Sequence, residues 1–476
     1  MRDLMLESTR PTSATLSVVS PYDGRELDCI DAVDVDHIDD ALSVAQATFK
    51  ARDGWLTIPE RLAILDKTAH LMGERIEELT LLAASEGGKP YTDSKAEVVR
   101  AIDGVRLCAE TLRADAGRVV PLGTTPATMG RLAFTQKEPI GVVVAVSAFN
   151  HPLNLIVHQV VPAVATGCPV VVKPAADTPL SCIALAKILR EAGLPAAWCQ
   201  VAITDSREAA EHLVTDSRVA FFSFIGSAKV GWMLRSKLAP GARCALEHGG
   251  VAPLLIAPPY NKEAAIAAIL KGGFYHAGQV CVSVQRVYAP SEIAEDLAKA
   301  IASKAEKLVV GAPEDPSTEV GPLIRKGEVD RVAEWVDEAV AAGATLLCGG
   351  STLPNNCYAP TVLLNPPTDV RVSNSEIFGP VLCVYEYDDV ADAVAAANSL
   401  PVVFQAAVFS DDINVANELY RTLDASAIMI NDHTAFRDDV MPFAGLRESG
   451  LGIGGIPYTM DDMQIDKMMV IKQLPK

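Results

Sequence analysis

Cys281 closes the stretch Gly278-Gln279-Val280-Cys281, shortly after a helical pattern that ends near Tyr275. A loop of small residues there presents the thiol in an accessible turn. A thiolate attacks a carbonyl carbon readily, and its sulfur can leave again later. A free cysteine titrates near about 8.5, so such a site has to favour the thiolate, for example through backbone N–H groups. The competing reading is an inert, buried thiol, the ordinary state of one cysteine among the ten present.

Three further stretches carry groups suited to the same chemistry. In Leu246-Glu247-His248-Gly249-Gly250 a strand runs into two glycines and leaves a carboxylate at its tip. There a ligand or second segment can approach closely. A carboxylate so placed can act as general base on water; a surface glutamate in a turn is the alternative. In Phe149-Asn150-His151-Pro152, directly after the apolar run Gly141–Val146, the Asn150 amide can hold an oxyanion or simply cap the following helix. Phe224-Ile225-Gly226-Ser227, with Gly231 beyond, reads as strand, turn and helix start, a fitting place for a phosphate. It lacks the full GxGxxG fingerprint.

The elements that must position these groups form an α/β series. Asp36–Phe49 and Ile58–Ser85 carry apolar residues at helical spacing, and the first hundred residues read as mostly helical until Gly87, Gly88 and Pro90 break the pattern. From Gly141 the pattern predicts strands at Gly141–Val146, Pro169–Lys173, Trp198–Ile203 and Val219–Phe224. Helices lie between them, including Pro152–Thr166 and one with Thr178 as N-cap, Pro179 as first residue and Gly193 as stop. This order implies a parallel sheet wound on both faces. A second series follows from Ala252. Its expected strands are Pro253–Ile256, Gln285–Ala289, Thr345–Cys348, Val381–Tyr387, Ala406–Phe409 and Ala427–Ile430. Its expected helices are Lys262–Tyr275, Ala294–Leu308, Gly327–Ala342, Val390–Ser399 and Asn414–Leu423. Two α/β units therefore meet near residue 245. Val120–Glu138 and Leu451–Lys476 fit neither and read as a strand appendage.

Composition narrows the class. The chain has 476 residues, 49% of them hydrophobic, enough for more than one core. Its 60 acidic and 41 basic side chains give a net charge of -19, which argues against nucleic acid or an anionic membrane as partner. The cysteines form no CxxC pair and no Cys/His cluster with metal-ligand spacing, so no metal and free thiols in a reducing compartment are expected. Met1–Leu16 has no apolar signal core, and the apolar stretch Ile156–Val172 is interrupted by His158, Gln159, Pro162, Gly167 and Pro169. A cytoplasmic location is expected.

Taken together, Asn150, Gly226-Ser227, Glu247 and Cys281 in this order resemble the aldehyde dehydrogenase superfamily. Lys173-Pro174-Ala175, Glu376-Ile377-Phe378-Gly379-Pro380, the stretch from Pro442 to Gly450 and Glu86-Gly87-Gly88-Lys89-Pro90 extend the likeness over nearly the whole chain. The resemblance implies a fold with a Rossmann-like cofactor unit (1–119 and 139–245), a catalytic α/β unit (246–450) and an oligomerisation appendage (120–138 and 451–476). It also implies a homodimer or homotetramer. By similarity, Cys281 forms a thiohemiacetal and then a thioester, Asn150 and the Cys281 N–H hold the oxyanion, and Glu247 activates the hydrolytic water. The cofactor contacts so implied are Ser147, Phe149, Lys173 and Ala176 near the first strands, Gly226 and Ser227 at the pyrophosphate, and Glu376 and Phe378 at the nicotinamide ribose.

Several positions depart from the family pattern. Many members have a glutamate where Ala176 stands; alanine does not repel a 2′-phosphate, so NADP or dual NAD and NADP use is expected, with Asp177 one residue later weighing against it. Ile225 replaces a frequent threonine and Ala444 a frequent glycine. His248 stands where leucine is common, either tuning Glu247 or serving as a hydrogen-bonded structural histidine. Thr434–Pro442 resembles the lactaldehyde dehydrogenase-like branch. Arg437 there is a candidate for an anionic group on the substrate, with His151 beside it; a salt bridge to Asp438 or Asp439 is the alternative. The rival activities are a coenzyme A-acylating relative, against which Glu247 argues, and a non-catalytic member of the fold.

Overall fold

The strand Val142–Val146 shows why the first unit folds as it does: every second side chain faces a different core. Val142 and Val144 join a cluster with Ile38 and Leu42, whereas Val143 and Ala145 join one with Val157 and Val161. A strand buried on both faces needs an unbroken β-branched run, and helices must cover both sides. The computed structural model, which describes residues 5–12 and 14–473, shows this arrangement. Residues 1–4, 13 and 474–476, which include parts of Met1–Leu16 and of the expected appendage, lie outside the described residues.

Two sheets carry the site. In the first, Arg243–Glu247, Val219–Ile225, Val142–Val146, Val170–Lys173 and Cys199–Val201 lie side by side and parallel, with Gly450–Leu451 antiparallel on the outer edge. The order reverses beside Val142–Val146, and in open parallel sheets ligands bind beyond the carboxyl ends at such a reversal. The second sheet runs Thr345–Cys348, Thr361–Leu364, Val381–Tyr387, Val284–Pro290, Ala252–Ile256, Gln405–Phe409 and Ala427–Ile430, parallel except at its first strand. The chain passes from Glu247, at the carboxyl end of one sheet, to Ala252, at the amino end of the other, in four residues. The seam between the sheets is therefore where both can contribute side chains.

A third sheet pairs Arg131–Pro139 with Gln464–Lys472 in nine-residue register and with Val119–Val120 on its other side. Of the stretch from Leu451 onward, only that last strand joins this sheet. Leu451 pairs with Leu246, and Ile456–Asp462 is a helix whose Ile456 and Met460 enter the first unit's core.

Four expectations need correction. The first hundred residues contain an antiparallel hairpin, Ala14–Val19 with Glu26–Ala32, whose half-exposed alternation is a strand period. Ile58–Ser85 is two helices, Ile58–Glu74 and Ile76–Gly87, divided where Arg75 leaves helical geometry. The helical stretch Tyr91–Ala114 and the strand Thr361–Leu364 were not anticipated from the pattern. Thr178 and Asn150 do not cap the helices that follow them.

Those helices are capped from elsewhere by buried carboxylates. Glu86 accepts from the amides of Leu180 and Ser181 at 2.7 and 2.8 Å and from the Ser181 hydroxyl. Glu97 accepts from the amides of Leu153 and Asn154, both at 2.9 Å, and pairs with the ammonium of Lys89. Lys89 and Glu97 are both fully buried. An acid at a helix start satisfies otherwise orphaned N–H groups and meets the positive end of the helix dipole. Glu97→Ala leaves the Lys89 charge unpaired and two amides without acceptors. It is expected to cost about 3–5 kcal/mol, read as a lower urea midpoint. An unchanged midpoint would contradict this account of the caps.

Candidate active site

Cys281 owes its position to a strained turn. His276, Ala277 and Gly278 run through positive φ at 48°, 53° and 70°. A β-carbon on Gly278 would lie 2.1 Å from the carbonyl oxygen of Gly379, so only glycine fits there. Gln279 then locks the loop: its side-chain amide donates to the carbonyls of His276 and Pro322, and its oxygen accepts from the Ile324 amide. Asn150 donates through Nδ2 to the Gln279 carbonyl at 2.9 Å. The amide from the first sheet thus holds the turn that presents Cys281, and one of its two donors remains for other work.

Glycines admit the carboxylates as well. A β-carbon on Gly249 would fall 2.0 Å from the Glu376 carboxylate, and one on Gly454 would fall 2.2 Å from Glu247 Oε1. The Ser449 hydroxyl donates to the Gly249 carbonyl at 2.7 Å, which fixes the glycine pair from the Pro442–Gly450 stretch. Glu247 ends its strand, and Glu376 and Cys281 lie just before Val381–Tyr387 and Val284–Pro290. All three therefore meet at the seam.

The three side chains are half-buried, and desolvation dominates their electrostatics. Desolvation pushes Glu247 up to about 7, against the pull of the Arg437 guanidinium. Glu376 is pushed up to about 8 for the same reason, with Arg331 and the Gly250 amide pulling it down. The Cys281 thiol is pushed well up by burial and by the nearby Glu376 and Glu247, with Arg437 and its own N–H opposing. Desolvation and the two acids thus work against the thiolate that the local amides favour.

His248 is the structural histidine. It is buried, with Nδ1 2.9 Å from the Gly226 carbonyl oxygen and the ring between Phe224 and Trp232. Burial lowers its titration. Arg437 is largely enclosed; the Glu247 charge acts on it, and Asp439 beside it is mostly engaged by others. Asp439 Oδ1 lies 2.6 Å from Arg100 and 3.0 Å from His158, but 3.9 Å from Arg437. The Arg437 guanidinium stacks 3.9 Å over Phe443 and donates to the Met441 carbonyl at 3.3 Å. His151 lies 3.4 Å from the Tyr275 hydroxyl and is held neutral by burial and by the charge of Lys89.

The remaining candidates line the carboxyl ends of the first sheet. Phe149 and Phe378 meet edge to face at 5.8 Å, and Phe378 has φ 48°. Ser147 donates its amide to the Lys173 carbonyl at 3.0 Å. Gly226 donates to the Glu247 carbonyl, and Ser227 is exposed before the helix Ala228–Arg235. Lys173 is half-buried and Ala176 exposed. Among the described residues, Ser147 Oγ and Glu376 Oε1 are buried without a partner. Such orphaned groups suit the hydroxyls and amide of a dinucleotide. Sequence reasoning missed Glu97, Arg100, His158 and Arg325. Glu97 and Arg100, with Asp93, do recur at helical spacing along Tyr91–Ala114, and that period was the available signal.

The chain is similar to known proteins over nearly its whole length. The model of the aldehyde dehydrogenase family matches residues 8–469. A 3-sulfolactaldehyde dehydrogenase of Priestia megaterium is 35% identical over 460 residues, 97% of this chain and 95% of the relative. A lactaldehyde dehydrogenase of Methanocaldococcus jannaschii is 33% identical, covering 96% of this chain and 97% of its own. Among solved structures, aldehyde dehydrogenase 21 of Physcomitrella patens with the reaction product succinate superposes at TM-score 0.94 with 33% identity, covering 99% of this chain and 97% of that one. The glyceraldehyde-3-phosphate dehydrogenase GapN of Methanocaldococcus jannaschii with NADP gives 0.92 and 32%, covering 98% and 100%.

At pH 9 Glu376 is ionised and raises the thiol. Glu376→Gln is therefore expected to speed iodoacetamide alkylation of Cys281 several-fold, followed on the Cys281 peptide by mass spectrometry. An equal or slower rate contradicts the coupling.

Proposed function

The chain belongs to the aldehyde dehydrogenase family, and from that premise we propose that it oxidises a small anionic aldehyde to its acid through Cys281. It is an NAD(P)-dependent aldehyde oxidoreductase. The observation that carries the finer reading is the seam itself, where Cys281, Glu247 and the largely enclosed cation Arg437 influence one another's charge. The nicotinamide, when bound, supplies the hydride acceptor. Phe149, Phe378 and Ser147 would line its place, Glu376 would take the ribose hydroxyls, Ser227 and Gly226 the pyrophosphate, and Lys173 beside Ala176 the adenosine ribose.

Because Cys281 rests as a thiol, its proton has to leave to solvent before attack, and Glu247 stays ionised for the later water step. The sulfur adds to the carbonyl carbon, and the carbonyl pair moves onto oxygen. There the Asn150 amide and the Cys281 N–H hold the oxyanion. Loss of hydride from that carbon leaves a thioester on Cys281. Glu247 then takes a proton from water, the hydroxide adds, and the thiolate departs from the acid. An acylating enzyme would need no such base, so acid rather than acyl-coenzyme A is the expected product.

Arg437 supplies the substrate class. A desolvated guanidinium whose neighbour Asp439 is shared with Arg100 and His158 matches a carboxylate or sulfonate on the aldehyde. Among relatives one is named for 3-sulfolactaldehyde and one structure holds succinate, both anionic, whereas another is named for the neutral lactaldehyde. The test is reduced-nicotinamide absorbance with neutral and anionic aldehydes, with Cys281→Ala as control. Turnover is expected to vanish in the control. Arg437→Ala is expected to raise the Michaelis constant for an anionic aldehyde about ten-fold or more, with the neutral homologue within about two-fold. The same variant removes the charge that favours ionised Glu247, so the rise of turnover with pH, expected near 7, should move to higher pH. Equal effects on both aldehydes would refute the substrate role.

The third sheet supports a homodimer or homotetramer. Its edge strand Gln464–Lys472 leaves Ile465, Met468, Met469, Val470 and Ile471 exposed, a hydrophobic edge that proteins normally cover. Sedimentation at micromolar concentration should show the oligomer, and a stable monomer would contradict it.

A further inference from the structure

The loop after the strand Val170–Lys173 holds a pair of charges that the mechanism does not use. Asp177 accepts from Arg325 Nε at 2.9 Å and also from Nη2, a two-point fork. Asp177 belongs to the first sheet's carboxyl-end loop. Arg325 lies 148 residues further along the chain, immediately before the helix Lys326–Ala341 of the second unit. The pair therefore reaches from one unit to the other beside Lys173 and Ala176.

The charges at this loop run against the overall balance. Lys173 carries a half-buried ammonium whose recorded hydrogen-bond contact is the Pro174 carbonyl at 3.4 Å, and the Asp177 charge acts on it. Arg325 keeps more than half of its side chain exposed, and the fork uses two of its five N–H donors. Asp177 is the one carboxylate that Arg325 and Lys173 share, and Glu328, which also acts on Arg325, is itself paired with Arg331, so cations gather here on a chain of -19. Ala176 adds no carboxylate that could accept from a bare 2′-hydroxyl. A dianionic phosphate beside Ala176 would instead meet Lys173 from one wall and the free edge of Arg325 from the other. Asp177 fixes that guanidinium in place before the phosphate arrives, which cuts the ordering cost of binding.

We propose that Arg325, held by Asp177, is the residue that selects the 2′-phosphate of NADP over the 2′-hydroxyl of NAD. This rests on the assignment of the Lys173 loop to the adenosine ribose. The bland alternative is that Asp177–Arg325 is only a strut between the two units.

Calorimetric titration of the intact protein with adenosine 2′,5′-bisphosphate and with 5′-AMP separates the two without any aldehyde or turnover. Wild type is expected to prefer the bisphosphate by about ten-fold or more. Arg325→Ala should lose most of that preference with 5′-AMP affinity within about two-fold, and Arg325→Lys should restore part of it. Asp177→Asn releases Arg325 from its fixed position and should lower bisphosphate affinity several-fold, with 5′-AMP affinity within about two-fold. Parallel loss of both nucleotides in Arg325→Ala and Asp177→Asn, the behaviour of a strut, overturns the proposal. So does a preference that survives Arg325→Ala, or its absence in wild type. A wild type that binds the two nucleotides alike but still oxidises aldehydes with NAD would sink this inference and leave the dehydrogenase reading standing.

Discussion

Two carboxylates and a thiol share one desolvated seam, where burial makes charge harder on each of them and the two acids further raise the thiol. Glu247 near 7, Glu376 near 8 and a strongly raised Cys281 are three expressions of that single constraint. It works against ionisation of the thiol and leaves Glu247 the more readily ionised of the two acids near neutral pH. Arg437 opposes the accumulation of negative charge on Glu247 and Cys281. The constraint exists because glycines let the groups come so close. Gly249 and Gly454 leave no side chain between the backbone and the two acids, and Gly278 lets the cysteine turn close against Gly379.

The seam has to be held at fixed geometry, and this is the work of acids far from it. Glu86 and Glu97 sit on or beside the N-terminal helices and cap helices of the first sheet, directly after the loops that carry Asn150 and the Lys173–Asp177 segment. Lys89, fully buried, neutralises Glu97. Asn150 then ties the first sheet to the Cys281 turn through Gln279. The path from the Tyr91–Ala114 helix to the nucleophile is thus a short chain of buried hydrogen bonds, each satisfied within the protein.

The strands and most helices of both units were legible because buried parallel strands have a plain apolar signature and end in glycine turns. Cys281, Glu247 and Asn150 were legible because their neighbours are small or glycine, which marks close approach. Capping by Glu86 and Glu97 was not, since the partners lie roughly 56 to 95 residues apart and local pattern points to Thr178 and Asn150 instead. The Ala14–Ala32 hairpin was hidden by its short, half-exposed alternation. The state of the Cys281 thiol was beyond the sequence altogether. Local amides argue for a thiolate, and only the fold brings Glu376 within reach, about ninety-five residues away.

The central claim is that one carbon of the substrate is carried on Cys281 until Glu247 delivers water. Acid quench of Glu247→Gln after one turnover, with aldehyde and NADP, followed by mass analysis of the Cys281 peptide, tests it directly. The account predicts an acyl group on Cys281, at close to one per chain, because the thioester forms but is not hydrolysed. An unmodified Cys281 peptide, with reduced nicotinamide already formed, would contradict it.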